Sequence, residues 1–173
     1  MALSLYDVTI PAYLQILGSV GRLVGKAEAY CTEQKWAPPD IIGAKLADDM
    51  LPYGYQIKAV VSHSVGAIDG VRKGVFSPDR SPWPETFAGL KKLTTDAIAA
   101  LDGINAAEVE SFVGRDMRFE MGEMRLDFTA ENFLLSFSQP NFYFHAATAY
   151  DILRWKGMPI GKRDFTGRVR VKS

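Results

Sequence analysis

Cysteine is nearly absent from this chain: Cys31 stands alone among 173 residues. A single thiol excludes an internal disulfide framework and fits a reducing compartment, so a cytoplasmic protein is expected. Long apolar runs are missing as well. No stretch of about eighteen apolar residues occurs, which leaves no spanning helix. The opening MALSLYDV lacks the basic-then-apolar order of a secretory signal. Net charge is also lacking, with 20 basic and 20 acidic residues. A neutral chain has no bulk attraction for nucleic acid or membrane. The tail cations Arg168, Arg170 and Lys172 are too few to make nucleic acid an expected partner. There is no G-x-S-x-G, no glycine-rich phosphate loop and no HExxH. Histidine is scarce too, with only His63 and His145.

What is present is patterned for a single helical domain. Nearly half of the residues are apolar, and a chain of this length buries a full-sized core. The bundle is expected over residues 1–167, with 168–173 as a short basic tail. Ser4 followed three residues later by Asp7 starts a first helix that runs to about Thr32. Pro11 inside it predicts a kink or a slightly later start. Gly18, Gly21 and Gly25 share one face, either for close approach of another backbone or merely as tolerated flexibility. Trp36 to Asp40 breaks that helix, and Ile41 to Leu46 is at most a short helical piece. A second long helix is predicted from Asp49–Pro52 to near Gly74. Its stripe of Asp49, Gln56, Val60, His63, Ala67 and Gly70 repeats a polar group every seven residues. Ser77 to Pro84 is a proline-rich surface link. A third helix follows over roughly Glu85 to Leu101.

Between Ser111 and Phe128 the period changes from helical to two. Met117, Phe119 and Met121 alternate with charges, as do Met124, Leu126 and Phe128. Gly122-Glu123 between them suits a type II′ hairpin. That register sets Met121 opposite Met124, Phe119 opposite Leu126 and Met117 opposite Phe128, with Glu120–Arg125 and Arg118–Asp127 on the other face. The apolar face should lie over one end of the bundle, with no strand expected beyond this hairpin. Pro140 then suits the first turn of a last helix, which Gly157 and Pro159 end near Lys156. The expected fold is mainly α: a four-helix bundle with one β-hairpin inserted before the last helix.

The ending Gln139 to Phe165, QPNFYFHAATAYDILRWKGMPIGKRDF, resembles the DinB/YfiT-like superfamily of four-helix bundles, in particular a bacterial branch known as a domain of unknown function. The opening LSLYDVTIPAYLQIL and the central DDMLPYGYQ are similar to the same branch, so the likeness spans the chain. The resemblance implies a metal site built from one histidine on the second helix and an H-x-x-x-H pair on the last. His63 and His145 match two of those ligands. Ala149 lies four residues after His145 and Asn141 four before, so the second histidine of the pair is missing in either register. The resemblance also implies a homodimer. Trp36, Trp83 and Trp155, all near helix ends or loops, point the same way as contact-forming aromatics.

The residues expected to gather at a site are His63, His145, Gln56, Asn141, Tyr143 and Asp49. Buried polar groups cost about 1–3 kcal/mol each when unpaired, so such a stripe implies a mutual network, trapped water or a ligand pocket. Two histidines on facing helices could hold Zn²⁺, Ni²⁺ or Fe²⁺. With two imidazoles, the weak neutral donors Gln56 and Asn141, and a distant Asp49, no tightly held metal is expected. Three functional readings follow. One is a bundle protein binding a small ligand between His63 and His145. The others are a metal-dependent enzyme resembling the superfamily's thiol transferases, and a dimeric interaction module with a purely structural pocket. Cys31 reads as a packing residue. Lys162 and Arg163 should cap helix carbonyls or pair with Asp48, Asp49 or Asp151.

Overall fold

A computed structural model describes residues 3–172; Met1, Ala2 and Ser173, part of the leader and tail readings above, lie outside the described residues. Helix α1 (Leu5–Glu33) opens on a complete capping box. Ser4 Oγ accepts from Asp7 N at 3.1 Å, and the Asp7 carboxylate accepts from Ser4 N at 3.2 Å. That cap places the start upstream of Pro11, so the helix does not begin late and the proline sits inside it. Its missing N–H leaves the Asp7 carbonyl without an intrahelical partner. Of the three glycines on α1, only Gly21 serves close packing, against Thr94 of a neighbouring helix; Gly18 and Gly25 meet no other element.

A one-turn helix α2 (Pro39–Ile42) precedes α3 (Tyr53–Ser62). The single long helix expected from Asp49 to Gly74 does not form. The chain breaks after Ser62 and resumes as α4 (Val65–Lys73). Side-chain hydroxyls take the carbonyls that the break exposes. Ser64 Oγ donates to Val60 O at 2.8 Å, and Ser138 Oγ donates across the bundle to His63 O at 3.0 Å. Satisfied in this way, the helix can stop without glycine or proline.

A second correction concerns strands. Val75–Phe76 forms a two-residue strand, β1, that was not expected. It runs parallel to β2 (Asp116–Met121), which pairs antiparallel with β3 (Met124–Thr129), in the order β1-β2-β3. The hairpin itself has the expected register at every pair from Met117–Phe128 to Met121–Met124. Gly122 takes φ +62° while Glu123 has no positive φ, as a type II′ turn requires. Phe76 of β1 packs on Gly70 of α4, where an added Cβ would stand 2.9 Å from the Phe76 Cβ.

Helices α5 (Phe87–Asp102) and α6 (Ala106–Glu110) precede the hairpin. The last helix starts ten residues before Pro140. It begins as α7 (Ala130–Asn132), widens into a π-helical segment over Phe133–Ser138 and continues as α8 (Gln139–Trp155). Proline cannot donate to the ladder, and a widened turn immediately upstream absorbs the mismatch. Gly157 at φ +85° closes it, and α9 (Lys162–Thr166) folds back on α1. Helices α1, α5, α3 and α8 pack in a ring, each beside the next, around Tyr13, Leu17, Ile57, Leu90 and Phe142. The molecule is thus mainly helical, a bundle with a small sheet at one side.

The sheet meets the bundle through a stack of phenylalanines. Phe76 lies 5.4 Å from Phe133, and Phe119 lies 4.8 Å from Phe137 between ring centroids. Replacing Gly70 with valine forces branched carbons into Phe76 and into Met117, whose Cε would stand 3.3 Å from even a Cβ. Overpacking of this kind costs about 1–3 kcal/mol. In urea titrations G70V should lose about that much stability, and a loss below about 0.5 kcal/mol would contradict the close contact.

Candidate functional site

Helices α3 and α8 pack side by side, and their polar residues meet at one place. Gln56, on the second turn of α3, is buried at 2% exposure. Its Nε2 donates to Leu51 O at 2.8 Å, which turns Oε1 toward α8, where His145 Nδ1 lies 2.7 Å away. An amide oxygen only accepts, so His145 carries its proton on Nδ1 and leaves the Nε2 lone pair free. His63 caps the C-terminal end of α3, and its ring stacks on His145 with centroids 5.7 Å apart and planes 14° from parallel. Its Nδ1 stands 3.5 Å from Ser138 Oγ, at the outer limit of a hydrogen bond. Since that hydroxyl spends its proton on His63 O, it has none left for Nδ1. A neutral His63 ring keeps one unprotonated nitrogen as a second acceptor.

Aromatic rings enclose the pair. Tyr55 and Phe144 stand edge-on to His145, while Phe76 and Phe137 flank His63. Both histidines are brought down from 6.5 to about 4, mainly because burial disfavours the imidazolium form and, for His63, also because of the neighbouring His145. Both rings are neutral acceptors at neutral pH. Beneath them Tyr13, fully buried, approaches Ser138 without completing a hydrogen bond, and burial raises its hydroxyl pKa.

A cleft of about 30 Å³ opens beside His63, lined by Tyr55, Lys58, Ser62, Phe76, Pro78 and Asp79. That volume admits a water or two and nothing larger. Its outer wall is the proline-rich link, held down by Lys58. The buried Lys58 ammonium donates to Asp79 O at 2.9 Å, to Ser81 Oγ at 3.1 Å and to Ser81 O, and stands 3.1 Å from Asp79 Oδ2. Trp83 completes the clasp over Gly54, where a Cβ would lie 2.5 Å from its ring.

Three of the six expected site residues therefore gather: His63, His145 and Gln56. The other three do not. Asn141 turns its Nδ2 back onto Phe137 O of its own helix at 2.7 Å. Tyr143 is 38% exposed and packs on Phe142. Asp49 is exposed in the turn before α3, because the helix begins only at Tyr53. Sequence reading missed Ser138, Tyr13, Lys58 and Asp79. Ser138 lies seven residues before His145, a helical interval that starting the last helix at Pro140 concealed. Lys58 and the link carried no local signal for their pairing. Among the described residues neither Lys162 nor Arg163 makes the expected ion pairs; Asp164 instead pairs with Lys26 at 2.5 Å.

A resident metal does not fit this donor set. Among the described residues no three His, Cys, Asp or Glu side chains lie together. The positions flanking His145 at four residues are a buried alanine, Ala149, and an asparagine committed to backbone.

The family model for "Domain of unknown function (DUF1993)" matches residues 5–166. The chain belongs to this family. Among solved structures this DUF1993 chain is similar to a DinB family member from Shewanella denitrificans, at 23% identity and a TM-score of 0.80, covering 98% of this chain and 95% of that one. That likeness shows a DinB-type fold. A comparison with curated proteins finds no match. Among the described residues of the DUF1993 chain no helix is long and apolar enough to cross a membrane.

The depressed imidazole pKa values set a pH dependence with a definite sign. Each histidine binds its proton near 6.5 when unfolded but only near 4 when folded. The stabilisation is therefore complete above about pH 6.5 and is lost as pH falls toward 4. Stability should drop by on the order of 2 kcal/mol per ring over that range. Urea titrations at pH 7 and pH 5 check this, and the H63Q/H145Q double variant should lose most of the difference.

Proposed function

We propose that the protein binds a small polar molecule at the paired imidazoles, admitted when the Ser77–Pro84 link lifts from α3. The observation supporting this reading is the fixed orientation of His145. Gln56 holds its Nδ1 proton, so a free Nε2 acceptor sits beside a second neutral imidazole inside an aromatic wall. Two acceptors without a charged neighbour on α8 suit a ligand bearing hydroxyl, amide or other N–H donors. The cleft as it stands is water-sized. A larger guest needs the outer wall to move, and that wall is the link latched by one lysine.

The reading as a metal-dependent enzyme has less support, because the donor set stops at two imidazoles. A metal would need its remaining ligands from water or substrate, and such an ion exchanges readily. The interaction-module reading gains nothing from the tryptophans. Trp36 packs on Tyr30 and Trp83 on Tyr55, leaving only Trp155 largely exposed.

A thermal-shift screen of small alcohols, amides, amines and the ions Zn²⁺ and Ni²⁺ tests the proposal. A ligand at about a hundred times its Kd stabilises the native state by about 2.7 kcal/mol, which raises the melting temperature of a chain this size by several degrees. The expected result is such a rise with a polar organic compound, abolished in H63A and in H145A and obtained at lower ligand concentration in K58M, where the latch no longer opposes opening. A rise that survives both histidine variants would refute the site. Stoichiometric zinc or nickel retained through purification would favour the metal reading instead.

A further inference from the structure

The apolar face of the hairpin is only half used. Met117 and Phe119 are buried against the bundle, whereas Met121, Met124 and Leu126 are 45%, 50% and 41% exposed. All three lie toward the tip or on β3. That strand ends the sheet, so among the described residues one of its edges pairs with no other strand. An unpaired edge of six residues invites another strand, and proteins commonly blunt such edges with proline, a bulge or charged side chains, lysine above all; the charges here, Arg125 and Asp127, are exposed but of opposite sign. The edge here, Met-Arg-Leu-Asp-Phe-Thr, has no proline and no lysine, and its pairing with β2 runs without interruption.

Which backbone groups face outward follows from the turn. A two-residue hairpin closes on a hydrogen-bonded pair, here Met121–Met124, and such pairs then alternate along the ladder. Phe119–Leu126 and Met117–Phe128 therefore exchange bonds inside the hairpin. Arg118, between them, turns its N–H the other way, to Gly74 O of the β1 side at 3.0 Å. By the same alternation Arg125, Asp127 and Thr129 point their N–H and C=O groups out from the β3 edge.

We propose that this edge pairs antiparallel with the β3 edge of a second copy, about a two-fold axis through Leu126, to make one six-stranded sheet across a homodimer. In this register the outward groups of Arg125 meet those of the partner's Asp127 in a hydrogen-bonded pair, and the reverse pair forms across the axis. Opposite charges thus sit opposite one another twice. On the apolar face Leu126 meets the partner's Leu126, and Met124 meets the partner's Phe128, covering the side chains now exposed. The alternatives are poorer. An axis at Arg125 or Asp127 sets like charges face to face, an axis between residues matches outward groups with inward ones, and more distant axes overlap only the strand ends. A two-fold contact that is complementary to itself in hydrogen bonding, charge and apolar surface closes as a dimer and does not propagate.

Light scattering over a concentration series reads the state directly. The wild-type chain should approach twice its 19.1 kDa mass as concentration rises. L126K places two ammonium groups together at the axis and should hold the mass at that of one chain. Its circular dichroism and melting should stay those of a folded bundle, since Leu126 is already exposed and lies outside the buried core. In L126C the two thiols face one another at a non-hydrogen-bonded site, where Cα atoms stand about 4.5 Å apart, within disulfide range. Cys31 is buried, so mild oxidation should cross-link L126C into a covalent dimer far faster than A29C, which carries its thiol on the exposed side of α1. A wild-type mass of one chain at every concentration overturns the proposal. So does a double mass that persists in a folded L126K, or cross-linking of L126C no faster than A29C. Should L126K fail to fold, the L126C comparison decides alone.

Discussion

The break after Ser62 is the constraint on which the rest of the molecule depends. Two serine hydroxyls, one local and one from the last helix, take over carbonyls that a continuous helix would have used. Because Ser138 reaches His63 O from the π-helical turn just before α8, the break is completed by the packing of the last helix beside α3. The direction of α4 follows from it. So does the position of β1, whose Phe76 rests on Gly70, and through β1 the docking of the whole sheet. The histidine ring at the break is turned out of the helix line into contact with His145. A polar group at a helix end thus organises both the architecture and the site.

Electrostatics and solvation act together at that site. Neither imidazole has an acid to stabilise a proton, and burial penalises charge on each. The pair is consequently an array of neutral acceptors with one ring orientation locked by Gln56. The nearest carboxylate on the cleft wall, Asp79, is held below its usual range, first by hydrogen bonds from Ser81 and then by Lys58. It is therefore a fastening for the link rather than a partner for the histidines. A buried lysine satisfied by two carbonyls, a hydroxyl and a carboxylate costs much to leave unpaired, which keeps the link closed at rest while confining the latch to one residue.

The family's domain and its DinB-type relative supply a fold, and folds of this kind host unrelated chemistries. Function therefore has to be argued from side chains. Here those are two imidazoles, an amide and a cleft no larger than water, on a scaffold with an unfinished sheet edge. The two features lie on different elements, so a ligand at the first and a second copy at the second make separate demands on the chain.

Local chemistry was legible in the sequence wherever near neighbours decide it. The Ser4–Asp7 cap, the Gly122 turn, the full hairpin register and the stop at Gly157 depend on residues within a few positions, and each formed as read. The meeting of Gln56, His63 and His145 was also legible, because helical spacing puts them on facing stripes. Tertiary structure decided what no local pattern encodes. The helix break has no glycine or proline to announce it, and one of its two carbonyls is satisfied by Ser138, 75 residues away. Pro140 proved to be an interior residue because a π-helical turn before it could absorb the missing donor. Asn141 and Asp49 left the site for the same kind of reason. One found a backbone carbonyl nearer than any pocket, and the other lay in a turn once the helix began at Tyr53. Lys58 could be paired with the link only after the chain had folded back on itself, because its charge is stabilised by partners that the sequence sets more than twenty residues away.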